Sequence, residues 1–533
     1  MYREDAAVAS TLREVKISHK LGLNVYRSLN GTNGDFEAVM QLGSRIGAEL
    51  GTRRVWMLGL SEYGTSASEL IPSLCRLISD AGVDCRWMVL ETDERRFYET
   101  AQALNEMLQG LEVEGASLEE LRPIYDGVLE EVADAVQKYV DPRDVLMIHG
   151  SALAGLARFL PDSYHNRLVW CSYSGNAEEN PALTEAWEFL RPYLRPYARC
   201  LFPERRFVPP FLRDRAGVVT PGIDPLNHKN RTLRPYKLVG ILRSAGLIER
   251  PNAPEWAAFE SQVRVLRENS WKKEPILSLL HKPLVLQVSR FERMKGFAEL
   301  LDGFHHLLKT YPERVPHLKG DDARVTSELE GVELVLAGPD PDDLPYNATG
   351  KAVLKELAER HSALPPEIAK RVHVLRLPMR DRKENGLIVN ALQRLATVVV
   401  QNSLQHGFCL TVTEALWKGA PVVASGVGGI GHQIRSGIDG TLFDDPSDPE
   451  SVASAILEVL ADPRAAEARS RSGRKRVEEN FLILQYLRTL IEEFDGLLHG
   501  AGSLRPRPVA SRDEEAEAAE PRRFEPAARH RLA

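Results

Sequence analysis

Two stretches of this 533-residue chain carry residue types whose spacing suits anion chemistry. The first runs His406-Gly407-Phe408-Cys409-Leu410-Thr411-Val412-Thr413-Glu414 and continues through Trp417-Lys418-Gly419. It follows the apolar, β-type run Thr397-Val398-Val399-Val400 and opens a helix that should stop at Gly419, ahead of Pro421. A glycine-bearing turn from strand to helix leaves backbone N–H groups unpaired and pointing outward. With the positive end of the helix dipole, they form a cradle for phosphate. Glu414, in the first helical turn, is a carboxylate able to accept two sugar hydroxyls. A nucleotide-sugar diphosphate fits this combination. A turn glycine, a core Phe408 and Leu410, and an acid that complements the helix dipole fit it equally well.

The second stretch follows the strand-like residues 284–289 and reads Arg290-Phe291-Glu292-Arg293-Met294-Lys295-Gly296, ahead of a helix from Phe297. In an open parallel sheet, ligands bind beyond the carboxyl ends of the strands. Arg290 and Lys295 therefore stand where two cations can clamp a diphosphate, Arg by a planar fork and Lys as a point charge. A third loop, Gly426-Val427-Gly428-Gly429-Ile430, follows the strand-like 421–425 and permits close backbone approach to a ligand. A solvated basic loop and a simple tight turn explain the last two taken singly; three such loops at the strand ends of one sheet point together to a ligand.

Positioning these loops requires alternating strands and helices, and the chain supplies two such regions. Residues 54–60, 85–90, 144–149 and 167–171 read as strands separated by amphipathic segments. The alternation restarts with strands at 284–289, 332–337, 372–377, 397–401 and 421–425, and with helices at 297–310 and 449–460. The expected class is α/β, with parallel sheets covered on both faces. Turn chemistry at Thr220-Pro221-Gly222-Ile223-Asp224-Pro225 marks the boundary between the two regions, and a polar, Arg-rich linker or insertion follows over 226–281. Residues 1–40 read as a peripheral, partly helical segment. A final helix over 482–498 precedes a tail, 501–533, with almost no large apolar residues, which predicts disorder.

Composition narrows the function classes. An apolar fraction of 43% over this length supports several real cores, and a net charge of −7 gives no electrostatic footprint for nucleic acid or anionic membrane. The five cysteines, at 75, 85, 171, 200 and 409, lack CxxC spacing, which argues against a disulfide framework and a zinc site. No apolar run approaches the roughly 18 residues of a membrane span, and no signal-peptide pattern is visible at the N-terminus, so the cytoplasm is the default expectation.

Ser289-Arg290-Phe291 through Lys295-Gly296, Gly407-Phe408 through Thr411-Val412-Thr413-Glu414-Ala415-Leu416-Trp417-Lys418-Gly419, and Val427-Gly428-Gly429-Ile430 resemble the family 4 retaining glycosyltransferases. Within that family they are most similar to the trehalose synthase and trehalose phosphorylase branch. Glu62-Tyr63-Gly64, Glu69-Leu70-Ile71-Pro72-Ser73-Leu74, Arg86-Trp87 and the 220–225 turn look like the same branch. The resemblance implies the GT-B architecture, two facing Rossmann-like doubly wound domains with the active site in the cleft between them. Residues 41–225 would be the acceptor-side domain and 282–480 the nucleotide-sugar domain, with a helix in 481–500 crossing back to the first.

The implied reaction is retaining transfer of a hexose, usually glucose, from a nucleoside diphosphate sugar to a sugar or small-molecule acceptor. It needs no metal and no cofactor beyond that co-substrate. Nothing in the resemblance brings in nucleic acid or an integral membrane segment, and a homodimer stays open. By match to the family motifs, Arg290 and Lys295 are the diphosphate pair, with Ser289 beside them. Glu414 is the second acid of an E-x7-E motif, which holds ribose hydroxyls. Gly407, Phe408, Cys409, Leu410 and Thr411 form the loop beneath the phosphates, and Gly428 and Gly429 belong to the third loop. Gly64 is what remains of an N-terminal glycine loop. His149 matches a histidine near the transferred sugar, although an ordinary strand-end residue explains it too.

Departures from the family pattern fall on the sugar and acceptor side. The first acid of E-x7-E is here His406, and a neutral imidazole offers one donor and one acceptor where a carboxylate accepts twice. The usual His-Asp-Pro is His149-Gly150-Ser151, and the usual Arg-Cys-His-Ile-Asp is Trp170-Cys171-Ser172-Tyr173-Ser174. Two alternatives to transfer therefore stay open: a retaining phosphorylase in which Arg290 and Lys295 hold orthophosphate, and a catalytically silent nucleotide-binding scaffold.

Overall fold

The computed structural model describes residues 11–499 apart from 18–19, 30–32, 114, 116, 250–258, 315–330 and 345–346. The expected disordered tail lies outside the described residues. Strands β1 (Leu12–Glu14), β2 (Val55–Gly59), β3 (Cys85–Leu90), β4 (Val145–His149), β5 (Leu168–Cys171), β6 (Arg199–Phe202) and β7 (Ala216–Val218) form a first sheet in the order β1-β3-β2-β4-β5-β6-β7. Every pairing is parallel except β1 with β3. Residues of β2 and β4 are buried along their whole length, which is why these strands read as unbroken apolar runs and not as alternating ones.

The second sheet contains β8 (Arg264–Arg267), β9 (Ser270–Lys272), β10 (Leu284–Val288), β11 (Glu333–Pro339), β12 (Val372–Leu377), β13 (Val398–Gln401), β14 (Val422–Ser425) and β15 (Thr441–Phe443). Its order is β15-β14-β13-β10-β11-β12-β8-β9, parallel from β15 to β12 and antiparallel at the β8 and β9 edge. Chain order reverses at β10, between β13 and β11, and such a switch point opens a crevice at the carboxyl ends of the strands. Two doubly wound α/β units thus stand as expected. No helix among the described residues is long and apolar enough to cross a membrane.

Two expectations differ from the structure at the edges. The N-terminal segment supplies β1, an edge strand with only Leu12 buried, too short to leave a period in the sequence. The stretch read as linker carries β8, β9 and the helix Pro235–Ser244, whose Ile241 and Leu242 share a core with Val265 of β8 and Leu286 of β10. An antiparallel edge pair with one apolar face alternates over too few residues to stand out among arginines.

The chain passes from the first unit to the second at Ile223 and returns at Leu482, and these crossings are bonded to each other. Ile223 N donates to Phe481 O (2.8 Å), and Ile483 N donates to Ile223 O (2.8 Å). The returning helix, Ile483–Leu498, buries Leu484, Leu487, Leu490, Ile491 and Phe494 among core residues of the first sheet and of the helix Ser66–Asp80. Arg199 of β6 holds Glu493 through Nε (2.9 Å) and Nη2 (2.6 Å). The last helix is therefore part of the first unit's core. Leu490→Ala should lower stability by about 2–5 kcal/mol in urea denaturation, the usual cost of a buried leucine cavity. Arg471→Ala, on an exposed helix face, should change it by less than about 0.5 kcal/mol.

Candidate functional site

The crevice at the switch point opens into a cleft with about 800 Å³ of free space, walled by both units. From the second unit come Ser289 and Arg290 after β10, Pro339 at the end of β11, Leu377 at the end of β12, and His406, Phe408, Leu410, Thr411 and Glu414 after β13. From the first come Gly64, Thr65, Ser66 and Glu69, where the helix Ser66–Asp80 begins, and Lys229 reaches in from the crossing segment. Most of the site residues expected from sequence share this one cavity. Its lining combines the apolar Val288, Leu377 and Met379 with the charged Glu69, Lys229, Arg290, Lys295 and Glu414.

Lys295 is 2% exposed, and its Nζ lies 3.2 Å from His406 Nε2. With the ammonium as donor, His406 Nε2 must accept, so the ring proton sits on Nδ1, 3.0 Å from Ser403 Oγ. Ser403 Oγ also accepts from Gln401 Nε2 at 2.9 Å, which fixes the ring. Burial, and then the Lys295 and Arg290 charges, hold His406 well below the ordinary imidazole range, so it stays neutral. Burial pushes Lys295 down to about 8, against the opposing pull of Glu292. A carboxylate at position 406 would neutralise this ammonium; the imidazole does not.

Glu414 is buried, and burial raises its carboxyl despite Lys229 and Lys418 nearby, with Glu69 raising it further. Glu69 is only partly buried, and the Lys229 ammonium, 2.6 Å from its Oε2, outweighs the effect of that burial and holds Glu69 below the usual range. Arg382 lies over the rings of Tyr63 (4.8 Å) and Trp87 (5.1 Å) and donates from Nη1 to Ser68 O (3.1 Å). Lys229 and Arg382 were missed in the sequence. Lys229 falls in the stretch read as linker and Arg382 begins a helix, and no local spacing links either to Glu69.

The loop 406–411 is more self-contained than a bare phosphate cradle. Gly407 N donates to Gln109 Oε1 of the first unit (3.1 Å), and Cys409 N donates to Gln433 Oε1 (2.9 Å). Gly428 and Gly429 support this loop from behind. A Cβ on Gly428 would fall 1.9 Å from His406 O, and Gly429 N donates to that same oxygen at 3.1 Å. His406, Phe408, Leu410 and Thr411 are the parts of the loop on the cleft wall, the last two opening the helix Leu410–Trp417.

His149 does not reach the cleft. It is 2% exposed, with Nδ1 2.9 Å from the Tyr173 hydroxyl and Nε2 3.3 Å from Met57 Sδ, and its ring stacks on Tyr173. Burial pushes it down to about 3, and it is not among the cleft-lining residues. The neighbouring Gly150 has φ +84°, a conformation that would strain the aspartate usual there. Ser172 Oγ donates to Ser174 O (2.8 Å) and Ser174 Oγ to Asn105 Oδ1 (2.5 Å), so this wall is satisfied from within the first unit.

Comparison with known proteins agrees with this layout. Residues 270–476 match the family model described as glycosyl transferases group 1, and 58–209 match the trehalose synthase N-terminal domain. The chain is 26% identical over 444 residues to a trehalose synthase of Pyrococcus horikoshii, covering 82% of this chain and 88% of that one. It is 28% identical over 450 residues to one of Rubrobacter xylanophilus, covering 84% and 91%. These matches support a GT-B glycosyltransferase of the trehalose synthase branch. Similarity extends, at 23% identity over 86% of this chain and 58% of the relative, to a trehalose phosphorylase of Pleurotus pulmonarius. Among solved structures, an α,α-trehalose-phosphate synthase (UDP-forming) from Burkholderia vietnamiensis shares the fold, with TM-score 0.60 and 14% identity over 84% of this chain and all of that one. The branch is one of glycosyl-transferring enzymes.

The state of Lys295 gives a pH prediction. A bound phosphate favours the ammonium, so the bound-state pKa of Lys295 lies above about 8 and anion affinity is full below about 8. Affinity for pyrophosphate should then fall about tenfold per pH unit as pH rises from the free to the bound value, with proton uptake in calorimetry at pH 8.5. His406→Glu should move the onset of that fall to higher pH; an unchanged profile would contradict the Lys295–His406 contact.

Proposed function

We propose that the protein is a retaining, metal-independent glycosyltransferase that moves a hexose, glucose by analogy with its branch, from a nucleoside diphosphate sugar to a sugar or small-molecule acceptor.

 The observation that carries this reading is that Arg290, Lys295, His406 and Glu414 line one cleft with the acceptor-side turn at Gly64–Glu69. The trehalose synthases among its relatives suggest glucose as the transferred sugar and a glucose-type acceptor. The apolar Val288, Leu377 and Met379 suit a nucleobase, Glu414 suits ribose hydroxyls, and Arg290 and Lys295 suit the diphosphate.

Retention is accounted for by front-face attack, in which the acceptor oxygen approaches from the side the phosphate leaves. The glycosidic bond to phosphate breaks, the new one forms to the acceptor, and the departing phosphate oxygen takes the acceptor's proton. No enzyme nucleophile is needed, so His406 in place of an acid leaves this chemistry intact. What the protein supplies is fixed positive charge where the diphosphate's charge grows, from Arg290, Lys295 and the helix N-terminus at Leu410 and Thr411. With Nε2 accepting from Lys295 and Nδ1–H turned to Ser403, His406 has neither lone pair nor ring proton left for the sugar, which weakens or redirects sugar selection.

A second reading, a nucleotide-binding scaffold without transfer, is favoured by the inward-satisfied wall at His149, Ser172 and Ser174. Arg290→Ala and Lys295→Ala should each weaken binding of UDP, ADP or GDP by about 1.5–3 kcal/mol in calorimetry, the worth of a charge-assisted contact, while the melting temperature holds. Unchanged affinity for all three nucleotides in both variants would remove both readings. Nucleotide binding without nucleotide release from any sugar conjugate, with or without acceptors, would favour the scaffold.

A further inference from the structure

The phosphate clamp carries its own anion. Glu292 places Oε1 2.5 Å from Arg290 Nη1 and Oε2 3.9 Å from Lys295 Nζ, so each carboxylate oxygen serves one of the two cations. The side chain is 14% exposed, and Oε2 is buried with no hydrogen-bond partner. Glu292 stands at the N-cap of the short turn Arg293–Lys295, yet its side chain makes no capping bond, so the carboxylate is not retained to hold that turn. A second acid, Glu106 of the first unit, feels the same cations, and burial together with the Glu292 charge holds it above its usual range.

We propose, on the reading that Arg290 and Lys295 hold the donor phosphates, that Glu292 is the resident counterion of the clamp and a specificity-determining residue. It favours ligands that offer an anionic oxygen to both cations at once, as a diphosphate does, over orthophosphate. A ligand that engages one cation leaves the other with Glu292 and faces the like charge of that carboxylate across a few ångströms. A diphosphate has oxygens on two phosphorus atoms, replaces both contacts, and so outweighs the loss of the resident pair. The same carboxylate disfavours an orthophosphate-dependent reaction in this cleft.

The test is calorimetric titration of the full chain with orthophosphate, pyrophosphate, UDP, ADP and GDP at pH 7 and fixed ionic strength, comparing wild type with Glu292→Gln. Removing the charge should tighten orthophosphate by about tenfold or more and the diphosphates less, so that the preference for diphosphate falls. Glu292→Ala must move the ratio in the same direction, and Glu292→Asp, which keeps the charge, should retain most of the preference. Glu292→Gln and Glu292→Ala binding every ligand as the wild type does, or more weakly, would overturn the inference while leaving the donor reading intact. Tighter orthophosphate binding in Glu292→Gln, with no nucleotide bound by either form, would keep the counterion and remove the donor reading. Absence of binding by any form to any of these anions overturns both.

Discussion

An ammonium group as deeply buried as that of Lys295 needs acceptors, and the arrangement of the cleft follows from how few it has. Its neighbours are the neutral His406 and one oxygen of Glu292 at 3.9 Å. Burial accordingly pushes this ammonium down to about 8. In a relative with an acid at position 406, that ammonium would already be neutralised within the protein.

The cleft beside Lys295 is walled by both units, which are tied to each other. The crossings at Ile223 and Leu482 are bonded to each other, and the returning helix is built into the first unit's core. Closer to the ligand space, Lys229 meets Glu69, Gln109 meets Gly407, and Arg382 lies over Tyr63 and Trp87. Each of these contacts joins a residue from the first unit to one beyond the first crossing. Together they hold the two units against each other around the cleft.

Much of the second unit was legible in the sequence because strands buried on both faces leave unmistakable apolar runs, as at 284–289 and 397–401. The loops after them were equally visible, since Arg290, Lys295 and the glycines of 426–429 stand at strand ends where only ligand binding or tight turning explains them. What was not legible depends on contacts between distant segments. The burial of His149 against Tyr173 comes from two strand ends meeting, and the Gln109 bond to Gly407 joins residues of different units. Short edge strands such as β1 and β9 have too few residues to show a period.

The departures at positions 150, 172, 174 and 406 form two groups with different physical weight. Gly150, Ser172 and Ser174 do not line the cleft, and the Ser172 and Ser174 hydroxyls are satisfied within the first unit. His406 faces the cleft and acts on Lys295 directly. The central claim, transfer with retention from a nucleoside diphosphate sugar, is tested most directly by proton NMR of the wild-type protein with UDP-, ADP- and GDP-glucose and a panel of sugar acceptors. The account predicts nucleotide release coupled to a product whose new anomeric signal has the α coupling of the donor. A β product, or acceptor-independent nucleotide binding with no transfer from any of the three donors, would contradict it.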